Sequence, residues 1–282
     1  MRVTILGCGG AGGVPLVGGA TGTGDWGACD PREPKNRRRR VSILIEDGPK
    51  ETPTRLMVDT SPDLREQMLD AGVQHLDAVI FTHNHADHVH GVDDLRQFNR
   101  RQRAVIPAYT DAKTAESLRQ RFGYVFEPVE TRPDGSANYY KPCLALNEIA
   151  SGQDFAVTGP GGSIRVQAFD QDHGFMRTLG LRFGDVAYST DVVNMPEESF
   201  EALKGVGLWV VDCFAREPHP THVHLAKVLQ WIERVQPDCA VLTHMGTAMD
   251  YGTLLRELPQ GVVPGYDGMT IDVAEDSLKL IK

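Results

Sequence analysis

Between Thr82 and Val89 the chain packs three histidines and an aspartate into six residues, His83-Asn84-His85-Ala86-Asp87-His88. Imidazole nitrogens and carboxylate oxygens are the donors that borderline divalent ions such as zinc accept. The apolar run just ahead, Leu76-Asp77-Ala78-Val79-Ile80-Phe81, reads as a short buried strand. At a strand end alternate residues point the same way, so His83 and His85 can share one ion. Asp87 and His88 lie past the bend, at the start of the next helix, and can face a second ion. The bland alternative is a polar turn with solvated histidines; the density of metal-type side chains argues against it.

Such a site needs elements that bring more ligands to the same place. Three further strand ends carry a residue of the right kind: Asp172-His173-Gly174, Ser189-Thr190-Asp191 and Thr243-His244-Met245. The strands read as residues 2–6, 41–45, 55–59, 76–81, 107–110, 163–169, 179–183, 185–189, 208–212 and 240–243, with two short ones closing the chain. Helices are expected over 61–71, 91–98, 111–122, 197–203 and 224–235, the first stopped by Gly72. Gly7 to Pro34 is too rich in glycine and proline for anything but a long loop. It carries neither the Gly-Lys-Ser/Thr nor the helix start of a nucleotide-phosphate site. Residues 123–150 are irregular and read as a lid or substrate-side insertion. Meandering strands, then strand–helix alternation, twice over, give an α/β (α+β) chain of two mixed sheets with helices outside. With no repeat and no linker, residues 1–282 read as one domain.

Composition bounds the function. No apolar run is long enough for a membrane helix, and the first residues lack the apolar core of a signal peptide. Five widely spaced cysteines suit reduced thiols and a cytoplasmic location. A net charge of −9 makes nucleic acid an unfavourable partner. The basic run Lys35-Asn36-Arg37-Arg38-Arg39-Arg40 stands apart. It is either a solvated surface or a run of which one or two arginines, Arg37 foremost, reach an anionic substrate or hold a loop near the site. Asp59, ending the strand before Thr60-Ser61, is either a turn aspartate or a carboxylate fixing a ligand histidine from behind.

The motif H-x-H-x-D-H at His83, His85, Asp87 and His88 resembles that of the metallo-β-lactamase fold hydrolases. The resemblance implies a four-layer αβ/βα sandwich with the metal site at one edge. It implies that His83, His85 and His173 hold one ion, that Asp87, His88 and His244 hold the other, and that Asp191 bridges them. Two divalent ions balanced by Asp87, Asp191 and a hydroxide leave a cluster near +1. Such a cluster suits in-line displacement at phosphorus. Mixed imidazole and carboxylate ligands admit zinc, manganese or iron.

Gly7-Cys8-Gly9, Gly13-Val14-Pro15, Pro34-Lys35-Asn36-Arg37-Arg38, Val58-Asp59-Thr60-Ser61-Pro62-Asp63 and Gly91-Val92-Asp93-Asp94-Leu95-Arg96 look like the PhnP-type phosphodiesterases. That branch is related to the tRNA 3′-processing nucleases and resembles PqqB. Where its pathway enzyme carries a structural zinc on a C-x-C-x-x-C loop and a late histidine, this chain has only Cys29, with Thr247 at the histidine position; that zinc is expected to be absent. His222 aligns with a non-ligand histidine beside the substrate phosphate, with His219 and His224 as competitors. Asp87 and His222 are then the residues at the chemistry, with His222 and Arg37 on the substrate. The expected activity is a dinuclear phosphodiesterase on small nucleotide-like or cyclic phosphodiesters. The alternatives are a thioester or lactone hydrolase, a tRNA-processing nuclease, and a non-catalytic PqqB-like binding protein. A loop around Trp26 leaves a homodimer open.

Overall fold

The computed structural model describes residues 1–127, 133–135, 143–274 and 277–280. β1 (Arg2–Gly7), β2 (Ser42–Asp47) and β3 (Thr54–Val58) form an antiparallel meander. β4 (Ala78–Ile80), β5 (Ile106–Thr110) and β6 (Leu144–Glu148) extend it in parallel. Parallel neighbours need crossovers, which are helical here. α1 (Leu64–Asp70) links β3 to β4. α2 (Ala86–Val89) and α3 (Leu95–Gln102) link β4 to β5, and α4 (Ala112–Phe126) follows β5.

The second sheet opens with the antiparallel β7 (Asp154–Gly159), β8 (Gly162–Asp172), β9 (Arg177–Phe183) and β10 (Val186–Ser189). It continues in parallel through β11 (Leu208–Asp212), β12 (Cys239–Thr243) and β13 (Val262–Pro264). α5 (Glu197–Ala202), α6 (Leu225–Val235) and α7 (Tyr251–Glu257) make its crossovers. The chain then returns to the first sheet as β14 (Thr270–Ala274) against β1, with β15 (Ser277–Leu280) outside it.

Alternation along the strands builds the layers. Ile43 and Ile45 of β2 and Leu56 and Val58 of β3 face the second sheet, where they pack with Val166, Leu181, Phe183, Tyr188 and Trp209. Leu44 and Met57, one residue out of phase, face Leu64, Leu95 and Leu118 of the helices. One apolar layer thus lies between the sheets and another beneath the helices, the four-layer αβ/βα arrangement of two mixed sheets. Among the described residues no helix is long and apolar enough to cross a membrane.

Three short strands, β13 to β15, rather than two close the chain, and three further elements differ from the sequence reading. β6 lies inside the stretch expected to be an irregular insertion, and residues 128–132 and 136–142 of that stretch fall outside the described ones. β7 is a half-exposed edge strand, and Gly159–Gly162, which joins it to β8, is a hairpin signal that its modest apolar content masked. α7 is a two-turn helix started by Asp250, whose carboxylate accepts from Thr253 N at 2.8 Å.

The loop from Cys8 to Arg38 is clamped to the segment just after β12. Met245 N donates to Cys8 O at 2.8 Å and Ala28 N to Thr247 O at 2.9 Å. Asn36 bonds Asp250 Oδ2 at 2.6 Å and Tyr251 N at 2.7 Å. Arg38 is 2% exposed, and its guanidinium donates to Met249 O at 2.6 Å and Asn36 Oδ1 at 3.2 Å. The basic run is therefore not a solvated patch: Arg39 pairs with Asp70 and Arg40 with Asp63. Cys29, at the position compared with the structural zinc loop, stands 3.8 Å from Arg38 Nη1 and donates to Thr247 O at 3.4 Å. Truncating Arg38 would leave buried carbonyls without their donor. Arg38→Ala is expected to cost about 2–3 kcal/mol of stability. It should be read as a lower urea midpoint at unchanged slope, with Arg37→Ala, at an exposed position, within about 0.5 kcal/mol of the parent.

Candidate metal centre

Both sheets deliver side chains to one edge. β4 ends at Ile80, and Phe81 and Thr82 carry the chain to His83. His85 is still extended, with φ −66° and ψ 155°, before α2 begins at Ala86. His83 and His85 therefore share a side, and the first turn of α2 swings Asp87 and His88 to the other. His173 follows β8 in the tight turn to β9; Asp191 follows β10 and His244 follows β12. Asp59, Asp191 and His244 all have left-handed backbones, with φ of 62°, 52° and 54°. Non-glycine residues reach that region at a cost of about 1–3 kcal/mol each. Here it turns Asp191 and His244 off their strands into the cleft and Asp59 onto the back of His88.

The result is two clusters sharing one carboxylate. His83, His85, His173 and Asp191 offer ligand atoms within 4.8 Å of one another, and so do Asp87, His88, Asp191 and His244. The two oxygens of Asp191 divide between them. Oδ1 lies 3.8 Å from His83 Nε2 and 3.5 Å from His173 Nε2. Oδ2 lies 3.0 Å from His88 Nε2 and 3.3 Å from His244 Nε2. Asp87 Oδ2 closes the second group, 3.3 Å from His88 Nε2 and 3.5 Å from His244 Nε2. All of these are buried except His85, which is half-buried.

The partners behind the rings decide which nitrogen faces inward. Thr82 Oγ1 gives its one proton to the Asp59 carboxylate, at 2.9 Å from Oδ2. It therefore accepts from His83 Nδ1, 3.0 Å away. His88 Nδ1 donates to Asp59 Oδ2 at 2.7 Å, and His173 Nδ1 donates to the Thr221 carbonyl at 2.7 Å. Each arrangement leaves the Nε2 lone pair directed at the cluster. The Nε2 atoms of His83, His88 and His244 are buried and have no hydrogen-bond partner among the described residues. Buried polar atoms of this kind are rare without a reason, and inward lone pairs beside a shared carboxylate fit divalent ions.

Sequence reasoning passed over Asp212 as the last residue of a buried strand. The structure brings it to the site: Oδ2 accepts from His222 Nδ1 at 2.9 Å and from Val192 N at 3.1 Å. A strand-end aspartate, as at Asp59, was the available signal. His222 Nε2 reaches within 3.9 Å of Asp191 Oδ1. Of its competitors, His219 packs against both Phe214 and His222, 4.9 and 5.2 Å between rings, without joining either cluster, and His224 starts α6. Asp59 stands behind His88, as a supporting carboxylate would. Arg37 is exposed, with its guanidinium 5.3 Å from the half-buried Trp26 ring. Gly10 closes one wall, where a Cβ would sit 2.8 Å from Phe214 and 3.4 Å from His244.

Charge is unevenly held. Burial pulls His88 down, but the Asp191, Asp87 and Asp59 carboxylates outweigh it and raise His88 well above the ordinary histidine range. His244 is likewise opposed by burial, yet Asp191 and Asp87 lift it to about 9. Burial dominates at His83, aided by His88, and holds it well below the usual value. Burial opposes the charge on Asp191, but His244, His88 and His83 keep it well below the carboxylate range.

The β-lactamase superfamily domain profile matches residues 54–245. The chain is similar to a crystal structure of a diphosphatase from the PhnP family, with a TM-score of 0.82 at 28% identity over 97% of this chain and 98% of that one. It shares its fold with zinc-bound PqqB from Methylobacterium extorquens, with a TM-score of 0.69 at 18% identity over 97% and 100%. It shares it also with the short form of human tRNase Z, with a TM-score of 0.63 at 14% identity over 97% and 100%. An octanoyltransferase of Porphyromonas gingivalis is 31% identical over 285 residues, 99% of this chain and 53% of that protein. The chain thus spans about half the length of that curated relative.

Two outcomes follow from the electrostatics. Rings with raised values carry protons at pH 7.5 that a metal must displace, whereas His83 is already neutral. Adding zinc to weakly buffered apoprotein should therefore release protons from His88 and His244. Apparent affinity should rise with pH from 6 through the region near 9 where His244 titrates; a pH-stat titration reads both. Asp59→Asn removes the charge behind His88 and is expected to weaken zinc binding about 10- to 100-fold, measured against a chromogenic chelator.

Proposed function

This chain belongs to the β-lactamase superfamily, and from that premise we propose that it is a metal-dependent hydrolase cleaving small phosphodiesters of the nucleotide-like or cyclic kind. The observation that carries the proposal is Asp191, one carboxylate with an oxygen toward each of two histidine clusters. His83, His85, His173 and Asp191 Oδ1 would hold one divalent ion; Asp87, His88, His244 and Asp191 Oδ2 would hold the other. Zinc or manganese suits these donors, and iron is compatible. When bound, such a pair supplies a nucleophilic water at neutral pH and positive charge against the phosphoryl oxygens.

The chain's own residues do the rest. Asp191 sets the spacing of the two clusters. Asp59, Thr82 and the Thr221 carbonyl lock the rings. His222 stands at the rim of the first cluster with Nδ1–H on Asp212, so its Nε2 meets the substrate. As a water that has given up one proton to bulk solvent adds to phosphorus and the bond to the alcohol oxygen breaks, an Nε2 proton passes to that oxygen, and His222 takes a proton back from solvent afterwards. Asp212 stabilises the imidazolium before the transfer and keeps the ring oriented after it. Arg37 lies on the exposed face and is proposed to meet the anionic substrate from there.

Phosphorus is favoured over carbon because the diphosphatase likeness extends over nearly the whole of both chains. The second reading, hydrolysis of a thioester or other acyl compound, rests on the relative named as an octanoyltransferase, of which this chain matches 53%. Nucleic acid is disfavoured by the net charge of −9. We propose a cytoplasmic enzyme whose partner is its small substrate.

The metal-replete protein is expected to hydrolyse bis(p-nitrophenyl) phosphate, to lose that activity to a chelator and to regain it with zinc or manganese. Faster turnover of acyl thioesters or lactones than of any phosphodiester would overturn the assignment. His222→Ala should lower kcat about 10²- to 10⁴-fold for a diester with an alkyl leaving group. The loss should be much smaller for p-nitrophenolate, which leaves without a proton; equal losses would remove His222 from that role.

A further inference from the structure

We infer that Phe175 is a stacking platform at the mouth of the site, and that the substrate carries a planar ring, such as a nucleobase, to lie on it. This rests on the phosphodiesterase reading and narrows its substrate class.

Phe175 is 74% exposed. Its ring centroid lies 5.9 Å from that of His85 and 5.8 Å from that of His173, tilted by 45° and 44°. Both histidines belong to the cluster on Asp191 Oδ1. The phenyl ring thus touches the proposed ligand rings with one side and meets water with the other.

The backbone holds it there. His173 N donates to Met176 O at 2.9 Å and Phe175 N to His173 O at 3.2 Å, which closes the turn. Gly174 N donates to Asp172 Oδ1 at 2.9 Å. Gly174 has φ +85°, and a Cβ there would sit 2.8 Å from Pro220 O. The turn is therefore pinned against the loop that carries His222, and the ring projects from a fixed base.

Single exposed apolar side chains are ordinary; the placement of this one is not. Leu69 and Leu255, exposed at 61% and 53%, sit on α1 and α7 in the outer layers. Phe175 instead borders the chemistry. Among the described residues the other aromatic of the site, Phe214, stacks on His222 at 4.8 Å and 28° and is half-buried, so it is already used in holding that ring. A flat group joined to the phosphate by a sugar-length spacer can cover the outer face of Phe175 while the phosphate lies at the clusters. Base–aromatic stacking of this kind shows a clear loss on truncation to alanine.

The test measures binding to the zinc-loaded full chain by calorimetry, with adenosine 5′-monophosphate and ribose 5-phosphate as probes that differ only in the base. The nucleotide should bind more tightly. Phe175→Ala should weaken it about 5- to 100-fold and leave ribose 5-phosphate within about twofold; Phe175→Trp should retain the preference and Phe175→Leu should lose most of it. Equal binding of the two probes, equal loss of both in Phe175→Ala, or no binding of the nucleotide would overturn the inference. So would octyl phosphate outbinding the nucleotide with Phe175→Leu keeping its affinity, the mark of an alkyl-chain surface. These readouts do not depend on turnover. A protein that stacks the base but cleaves no phosphodiester would sink the proposed activity alone, and one that cleaves diesters without base preference would sink the platform alone.

Discussion

A carboxylate with no solvent around it must be matched by positive charge or it will not stay ionised. Asp191 is 2% exposed, and its neighbours are histidines on both sides. Without metal, His88 and His244 supply the matching charge by holding their protons above the ordinary range. With metal, the ions would supply it and the protons would leave. The centre therefore has two balanced states that differ in what fills the space between the rings. His83, His88 and His173 can stay in place in both, because Thr82, Asp59 and the Thr221 carbonyl hold them from behind rather than the ions.

That hold comes from a carboxylate on each sheet. Asp59 follows β3 of the first sheet, and both of its oxygens are engaged by Thr82 and His88. Asp212 ends β11 of the second and binds His222 and the backbone of Val192. Both lie at the carboxyl ends of strands, where α/β sheets leave their crevices. The two sheets thus approach the centre in parallel fashion, the first holding His88 and the second holding His222. Orientation by an outer carboxylate raises ligand basicity and fixes the tautomer. It also explains why aspartates that touch no substrate are fully buried.

What could be read from the chain depends on the distance over which each feature is encoded. His83, His85, Asp87 and His88 were legible because strand end, bend and helix start all fall within one short segment. The superfamily and the two-sheet layering were legible from that motif and from strand periodicity. His173, Asp191 and His244 were visible from the residues as metal-type side chains at strand ends, and the resemblance implied them as ligands with Asp191 between the two groups; what no residue pattern announces is the left-handed backbone that turns Asp191 inward. Asp212 was missed because it closes an apolar strand, Leu208–Asp212, and looked like a boundary. Of the readings open for the arginine run, Arg38 takes the one that holds a loop near the site, buried on carbonyls, a burial that charge alone does not signal. β7 and α7 were missed because each is short and carries few apolar residues, so that pairing and capping, not periodicity, define them.

His244 depends most on parts of the chain far from its own strand. β12 ends at Thr243, and the segment beyond it, Met245 to Asp250, has little regular structure of its own before α7 begins. The Gly-rich loop supplies the missing constraint, through Cys8 O to Met245 N and through the Arg38 guanidinium to Met249 O. A buried guanidinium spread over neutral acceptors gives direction without adding a competing anion. That matters beside a centre whose charge is already set by Asp87, Asp191 and Asp212. Arg38 ties the loop to this segment through its two terminal nitrogens, Nη1 toward Gly246 O at 3.5 Å and Nη2 to Met249 O at 2.6 Å, held in one plane. A metal ion bound at the same junction would need several ligands, and Cys29 offers one. The long excursion from Cys8 to Arg38 is therefore part of what aims the last histidine.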